Sequence, residues 1–159
     1  LIDYLEAGKK YSNTQLILEI KDHKDTFWEE ESAIRTIEVV RKMKVQHQIE
    51  YLSFSRTICQ TVKKHSPKNP VFYLNGSLSP TEIAHFGWDG MDYHYDEYLK
   101  NSLWIEEAKS LGIATNSWTV NGEYLMRKML SLGLDYLTTD EPEILQQLVL
   151  QSIVSISAE

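Results

Sequence analysis

The chain has 159 residues, 42% hydrophobic and 25% charged, enough for one domain with a packed core and ordinary for a globular protein. Its formal charge of −7 argues against nucleic acid as the main partner, because a phosphate backbone wants a basic surface; a small phosphate ligand is not excluded. No apolar run approaches the roughly 18–20 residues of a membrane-spanning helix, and the one cysteine, Cys59, excludes an internal disulfide. Leu1-Ile2-Asp3-Tyr4 has no basic region of a secretory leader and no initiator methionine, so the compartment is left open.

In chain order, Leu1–Tyr11 reads as a helix leading to a first strand, Leu16–Ile20. Thr26-Phe27-Trp28-Glu29 has capping-box spacing and opens a helix with Ala33, Ile37 and Val40 on one face. A second strand, Ile49–Phe54, precedes a helix whose apolar face carries Ile58, Cys59 and Val62; Cys59 is expected to pack there rather than react. The third strand is Val71–Leu74. Ser79-Pro80-Thr81-Glu82 follows, with a cap, a proline at the first helical position and a glutamate at the third. The fourth and fifth strands are Met91–His94 and Ile113–Val120, after which Asn121 is expected to cap a helix carrying Leu125, Met126 and Met129. The sixth, Tyr136–Thr139, precedes a last helix that Asp140 is expected to cap, with Pro142 and Glu143 in its first turn. Gly87, Gly112 and Gly133 fit the left-handed positions that end helices.

Short apolar strands alternating with helices predict an α/β fold with a parallel sheet and right-handed crossovers. An open doubly wound sheet and a (β/α) barrel both satisfy that pattern, and a complete barrel typically needs about 250 residues.

In either architecture the site forms at the carboxyl ends of the strands, where Glu19-Ile20-Lys21, Ser53-Phe54-Ser55, Leu74-Asn75-Gly76, Tyr93-His94, Trp118-Thr119-Val120-Asn121 and Thr138-Thr139-Asp140 fall. Glu19 and Lys21 are two apart, so both point to one side of their strand. They read either as a structural ion pair or as a metal ligand beside a cation for an anionic oxygen. Trp118 either packs under a loop or walls a ligand. His23 belongs to a solvated loop, His94 to a strand end, and His47, His65 and His85 to helix ends or loops. No His-x-x-x-His or Cys-x-x-Cys spacing marks zinc, no glycine-rich loop cradles phosphate, and no Gly-x-Ser-x-Gly elbow is present.

Five segments in order resemble the second half of a glycerophosphodiester phosphodiesterase. Leu16-Ile17-Leu18-Glu19-Ile20-Lys21 is similar to that family's strand ending in Glu-Leu-Lys or Glu-Ile-Lys, and Tyr51-Leu52-Ser53-Phe54 to its Ser-Phe strand. Val71-Phe72-Tyr73-Leu74 follows at the family's interval. Trp118-Thr119-Val120-Asn121 matches Trp-Thr-Val-Asn residue for residue, and Gly133–Pro142 resembles the ending Gly-Val-Asp-Gly-Ile-Ile-Thr-Asp-x-Pro. The resemblance implies a TIM-type barrel of which residues 1–159 are the C-terminal portion of a single domain. It implies metal-dependent hydrolysis of glycerophosphodiesters to glycerol 3-phosphate and an alcohol, with magnesium or calcium as the divalent cation. Glu19 would be a metal ligand, Lys21 would contact the phosphate, and Trp118 would border the glycerol side of the pocket. The family's His-Arg-Gly, Glu-x-Asp and His-Asp motifs belong before the strand carrying Glu19 and have no match here. The chain alone is therefore expected to be inactive, with catalysis a property of a longer parent protein and no catalytic residue assigned within it. The other expectation is a non-catalytic open α/β binding or assembly module, self-associating through exposed barrel edges.

Overall fold

The computed structural model describes residues 1–156, with side chains to residue 151. In order it comprises α1 (Ile2–Gly8), β1 (Leu16–Glu19), α2 (Thr26–Met43), β2 (Ile49–Ser53), α3 (Arg56–His65), β3 (Val71–Tyr73), α4 (Pro80–Phe86), β4 (Gly90–His94), α5 (Tyr95–Lys100), α6 (Trp104–Leu111), β5 (Ala114–Trp118), α7 (Glu123–Leu132), β6 (Tyr136–Leu137) and α8 (Pro142–Ile156). The six strands form one sheet in the order β1-β2-β3-β4-β5-β6, every pair parallel. A doubly wound sheet reverses its strand order at a switch point, whereas a barrel adds each strand to the same side. The unreversed order makes this a curled partial barrel, with β1 and β6 as its two edges.

Strand alternation separates two faces. Leu16, Leu18, Tyr51, Val71, Tyr73, Met91 and Tyr93 are buried in the main core with Ile37, Val40, Ile58 and Val62 of the surrounding helices. A second core joins Val120, Met126, Met129 and Leu148 near β6, α7 and α8. The alternate residues, including Ile17, Glu19, Leu52, Phe72, Asp92, Asn116 and Trp118, line the concave side. Low on that side the Phe72 ring lies against Gly90, where an added Cβ would fall 2.2 Å from the ring. Glycine is required there by close approach alone.

Local signals held in part. Ser79 and Glu82 form the reciprocal capping box, and Gly87, Gly112 and Gly133 close their helices at φ of 69°, 70° and 80°. Cys59 is fully buried. Three expected caps moved. Asp25, one residue earlier than Thr26, caps α2 by accepting from the Trp28 amide at 3.1 Å. Asn121 does not cap α7, whose first turn starts at Gly122 and is held by the Glu141 carboxylate, which accepts from the Gly122 amide at 2.7 Å. Asp140 does not carry the first helical carbonyl of α8; that is Glu141, which accepts from the Leu145 amide at 3.2 Å. Both displaced residues serve one clip: Asn121 donates to the Asp140 carboxylate at 2.8 Å and accepts from the Asp140 amide at 3.0 Å and the Thr139 hydroxyl at 3.1 Å. The clip ties the end of β5 to the end of β6 above the concave face.

Two aspartates fix the strand starts. Asp89 accepts from the Val71 amide at 2.9 Å and pairs with Lys63 at 2.6 Å. Asp135 accepts from the amide and hydroxyl of Thr115 at 2.8 and 2.9 Å. The Gly-x-Asp segments before β4 and β6 thus place their aspartates on the neighbouring strand, which pins register where the sheet begins. Among the described residues no helix is long and apolar enough to cross a membrane.

Candidate active site

The concave face encloses a cavity of about 780 Å3, within the usual range for small-ligand sites. Every strand contributes to it: Glu19 ends β1 and Lys21 follows it, Leu52 lies in β2 and Phe54 just after it, Phe72 in β3 and Leu74 just after it, Asp92 in β4, Asn116 and Trp118 in β5, and Tyr136 in β6 with Thr138 just after it. The three residues singled out by sequence, Glu19, Lys21 and Trp118, all line this one space. Lys21 donates to the Glu19 carboxylate at 2.6 Å. Their side chains are 73% and 32% exposed, so the pair is wet, and such pairs add at most about 1 kcal/mol of stability. Its position at the cavity mouth needs an explanation other than folding.

Trp118 forms an aromatic part of the same lining. Its indole N–H donates to the Asp92 carbonyl at 2.8 Å, and Phe54 and His94 meet its ring edge-on at centroid distances of 5.8 and 5.3 Å. That hydrogen bond and the two edge contacts fix the ring plane, leaving a rigid apolar surface beside a charged one.

Other candidates have structural roles. The Ser53 hydroxyl donates to the Ile20 carbonyl at 2.8 Å, tying β2 to the end of β1. Ser55 caps α3. The Tyr93 hydroxyl donates to the Leu78 carbonyl at 2.9 Å on the helix side. His94 accepts from the Asp96 amide at 3.3 Å and so caps α5. His23, His47, His65 and His85 are exposed, and none of the five histidines lines the cavity.

The residue that sequence reasoning passed over is Asp92. It is 1% exposed yet borders the cavity, and its Oδ1 has no hydrogen-bond partner among the described residues. Burial pushes its carboxyl up to about 7; a hydrogen bond from Asn116 opposes this, and the negative charge of Glu19 adds to it. The available signal was its place two residues before His94, on the same side of β4. Glu50, lower on the concave face, is also raised by burial.

Between the ordinary carboxylate range and about 7, the folded state holds a proton on Asp92 that the unfolded chain has lost. Stability contributed at this site therefore falls as pH rises through that window. Asp92→Asn is expected to flatten the fall, seen as urea midpoints for wild type and variant that diverge from pH 4 to pH 8.

The partial (β/α) barrel thus carries a cation, a carboxylate and an aromatic wall at the carboxyl ends of its strands, where barrel enzymes place their sites. Residues 3–144 match the glycerophosphoryl diester phosphodiesterase family, and the chain belongs to that family of phosphoric diester hydrolases. It is similar to a glycerophosphodiester phosphodiesterase from Parabacteroides distasonis, with 36% identity, a TM-score of 0.94, and coverage of 96% of this chain and 64% of that one. An Oleispira antarctica phosphodiesterase, solved with its product sn-glycerol-3-phosphate, shares the fold at 22% identity and a TM-score of 0.80, covering 94% of this chain and 60% of that one. A curated glycerophosphodiester phosphodiesterase from Caldanaerobacter subterraneus is 26% identical over 117 residues, covering 72% of this chain and 48% of its own length. The chain thus spans about half the length of this curated relative.

Proposed function

We propose that the protein carrying this chain hydrolyses glycerophosphodiesters to glycerol 3-phosphate and an alcohol. The observation that carries the reading is the convergence of Glu19, Lys21 and Trp118 on one cavity at the strand ends. In this reading the phosphate lies at the charged wall and the glycerol arm lies against Trp118. The Lys21 ammonium leaves Glu19 for a non-bridging phosphate oxygen, and there it stabilises the charge that develops as water adds and the alcohol oxygen departs. Phe54 and Trp118 hold the carbon arm and keep water from that side.

A hard divalent cation, magnesium or calcium, fits Glu19 as one oxygen ligand. Magnesium commonly takes only one or two carboxylates and completes its shell with water and substrate phosphate. Among the described residues there is no group of three or more His, Cys, Asp or Glu side chains that could hold a metal, so Glu19 would share the ion with substrate, water and other ligands. When bound, the ion supplies Lewis-acid polarisation of phosphoryl oxygens. With no histidine at the cavity, the reading makes the chain inactive by itself and assigns acid–base steps to a polypeptide of the relatives' length.

Release of glycerol 3-phosphate by the complete protein, abolished by chelator and restored by added cation, is the expected result; release indifferent to chelator rejects the metal. Trp118→Ala is expected to raise KM about tenfold, the effect of losing one well-packed apolar wall. Unchanged KM removes Trp118 from the pocket.

A further inference from the structure

The base of the cavity holds a polar atom that the reading above leaves unused. The Asp92 side chain borders the cavity, beside the Trp118 indole that donates to the Asp92 carbonyl at 2.8 Å. It is close enough to Glu19 to feel its charge. Asp92 therefore shares the concave lining with Glu19 and Trp118, one concave-side step along β4 before His94, which pairs in register with Trp118. Its Oδ1 is buried with no partner among the described residues. An unpaired buried carboxyl oxygen ordinarily costs free energy, and at a site it marks where a ligand's polar group completes the set. Asn116 donates to the Thr138 hydroxyl at 3.0 Å and accepts from the Ser117 amide at 2.8 Å, and its amide also acts on the Asp92 carboxyl, which leaves Oδ1 as the oxygen without a partner among the described residues.

The geometry points to Asp92 as a substrate-positioning and specificity-determining residue, whose free carboxyl oxygen hydrogen-bonds a hydroxyl on the carbon arm of the phosphodiester. This rests on the hydrolase reading and narrows it. The substrate class is phosphodiesters whose arm carries a free hydroxyl within a few bonds of the ester oxygen, with alkyl phosphodiesters discriminated against. A hydroxyl both donates and accepts, so it pairs with Asp92 whether or not the carboxyl holds a proton. A site built to hydrogen-bond a hydroxyl rejects an analogue lacking it, because the buried partner is then left unsatisfied. Trp118 contributes contact with the carbon skeleton, and Asp92 contributes the choice between polyol and alkyl arms.

The test pairs a glycerophosphodiester with its propyl counterpart, which lacks both free hydroxyls, in the complete protein. Asp92→Leu keeps the branched outline with bulkier termini and removes an unpaired acid, and a melt checks that the variant folds. KM for the glycerol diester should rise about tenfold, the loss of one buried hydrogen bond, while KM for the propyl diester stays within twofold and kcat changes less than KM. Asp92→Asn, which still hydrogen-bonds, should recover most of the difference. An equal rise for both substrates, or no rise for either, overturns the inference. Calorimetric affinities for glycerol 3-phosphate and propyl phosphate supply a readout independent of turnover. A protein that hydrolyses neither diester but prefers glycerol 3-phosphate, with the preference lost in Asp92→Leu, rejects the hydrolase reading and keeps the role of Asp92. Equal affinity of the wild type for the two phosphates rejects that role.

Discussion

Glutamine in place of Glu19 should lower the metal-dependent turnover of the complete protein by at least about a hundredfold and leave its stability nearly unchanged. Indirect partners of a metal ligand already cost about 10–100-fold when altered, and Glu19 is the direct ligand in the proposed site. Glutamine keeps the size of the side chain and one neutral oxygen but removes the charge that a hard cation requires. Folding is spared because the only contact the Glu19 side chain makes in the described hydrogen-bond and ion-pair network is Lys21, at 2.6 Å and largely in solvent. Exposed pairs of that kind contribute about 0–1 kcal/mol. Turnover measured across a cation titration, beside urea unfolding of the same samples, checks both halves. Wild-type turnover at low cation removes Glu19 from the metal. A large loss of stability returns the pair to a structural role.

The same pair shows how far a sequence of this kind can be read. Glu19 and Lys21 could be placed on one side of a strand from their spacing, and with Trp118 they could be assigned to one rim once the strands were taken as parallel. Both inferences rest on the two-residue period of a strand and the one-sided site of parallel sheets. The pattern of strands and helices alone left barrel and open sheet open, because the choice depends on which strands are neighbours; the family resemblance pointed to the barrel, and the unreversed order β1 to β6 bears it out. Cap assignments failed where tertiary bonds compete with local ones. Asn121 and Asp140 each precede a helix and have cap chemistry, but each finds a partner across β5 and β6 that a local rule does not see. Asp92 was missed for a related reason. Its importance comes from burial without a partner, which is a property of the assembled cavity, and in the sequence the histidine two residues later was the more conspicuous group. The Gly-x-Asp segment Gly133–Asp135, legible as part of a resemblance, anchors a strand start through Asp135, and Asp89 does the same before β4.

The largest stability loss is expected from Trp88→Ala. Trp88 is 2% exposed, lies parallel to Phe86 with ring centroids 4.6 Å apart, and packs against Tyr73 at 5.3 Å. It joins the end of α4 to the buried face of β3, two residues before the strand that carries Asp92. Truncating a buried tryptophan costs about 3–5 kcal/mol through lost transfer energy and a residual cavity, against a total of about 5–15 kcal/mol for a typical domain. At this chain length that is a fall in Tm on the order of 10 °C. The indole N–H of Trp88 has no partner among the described residues, so Trp88→Phe loses volume but also relieves an unsatisfied donor and should cost much less than alanine. Urea unfolding followed by circular dichroism separates the two variants. A loss below about 1 kcal/mol for alanine would mean that Phe86 and Tyr73 close the space on their own. If β4 then shifts toward the helices, Asp92 moves with it, and the discrimination between glycerol and propyl arms should weaken in Trp88→Ala even at temperatures where the variant stays folded.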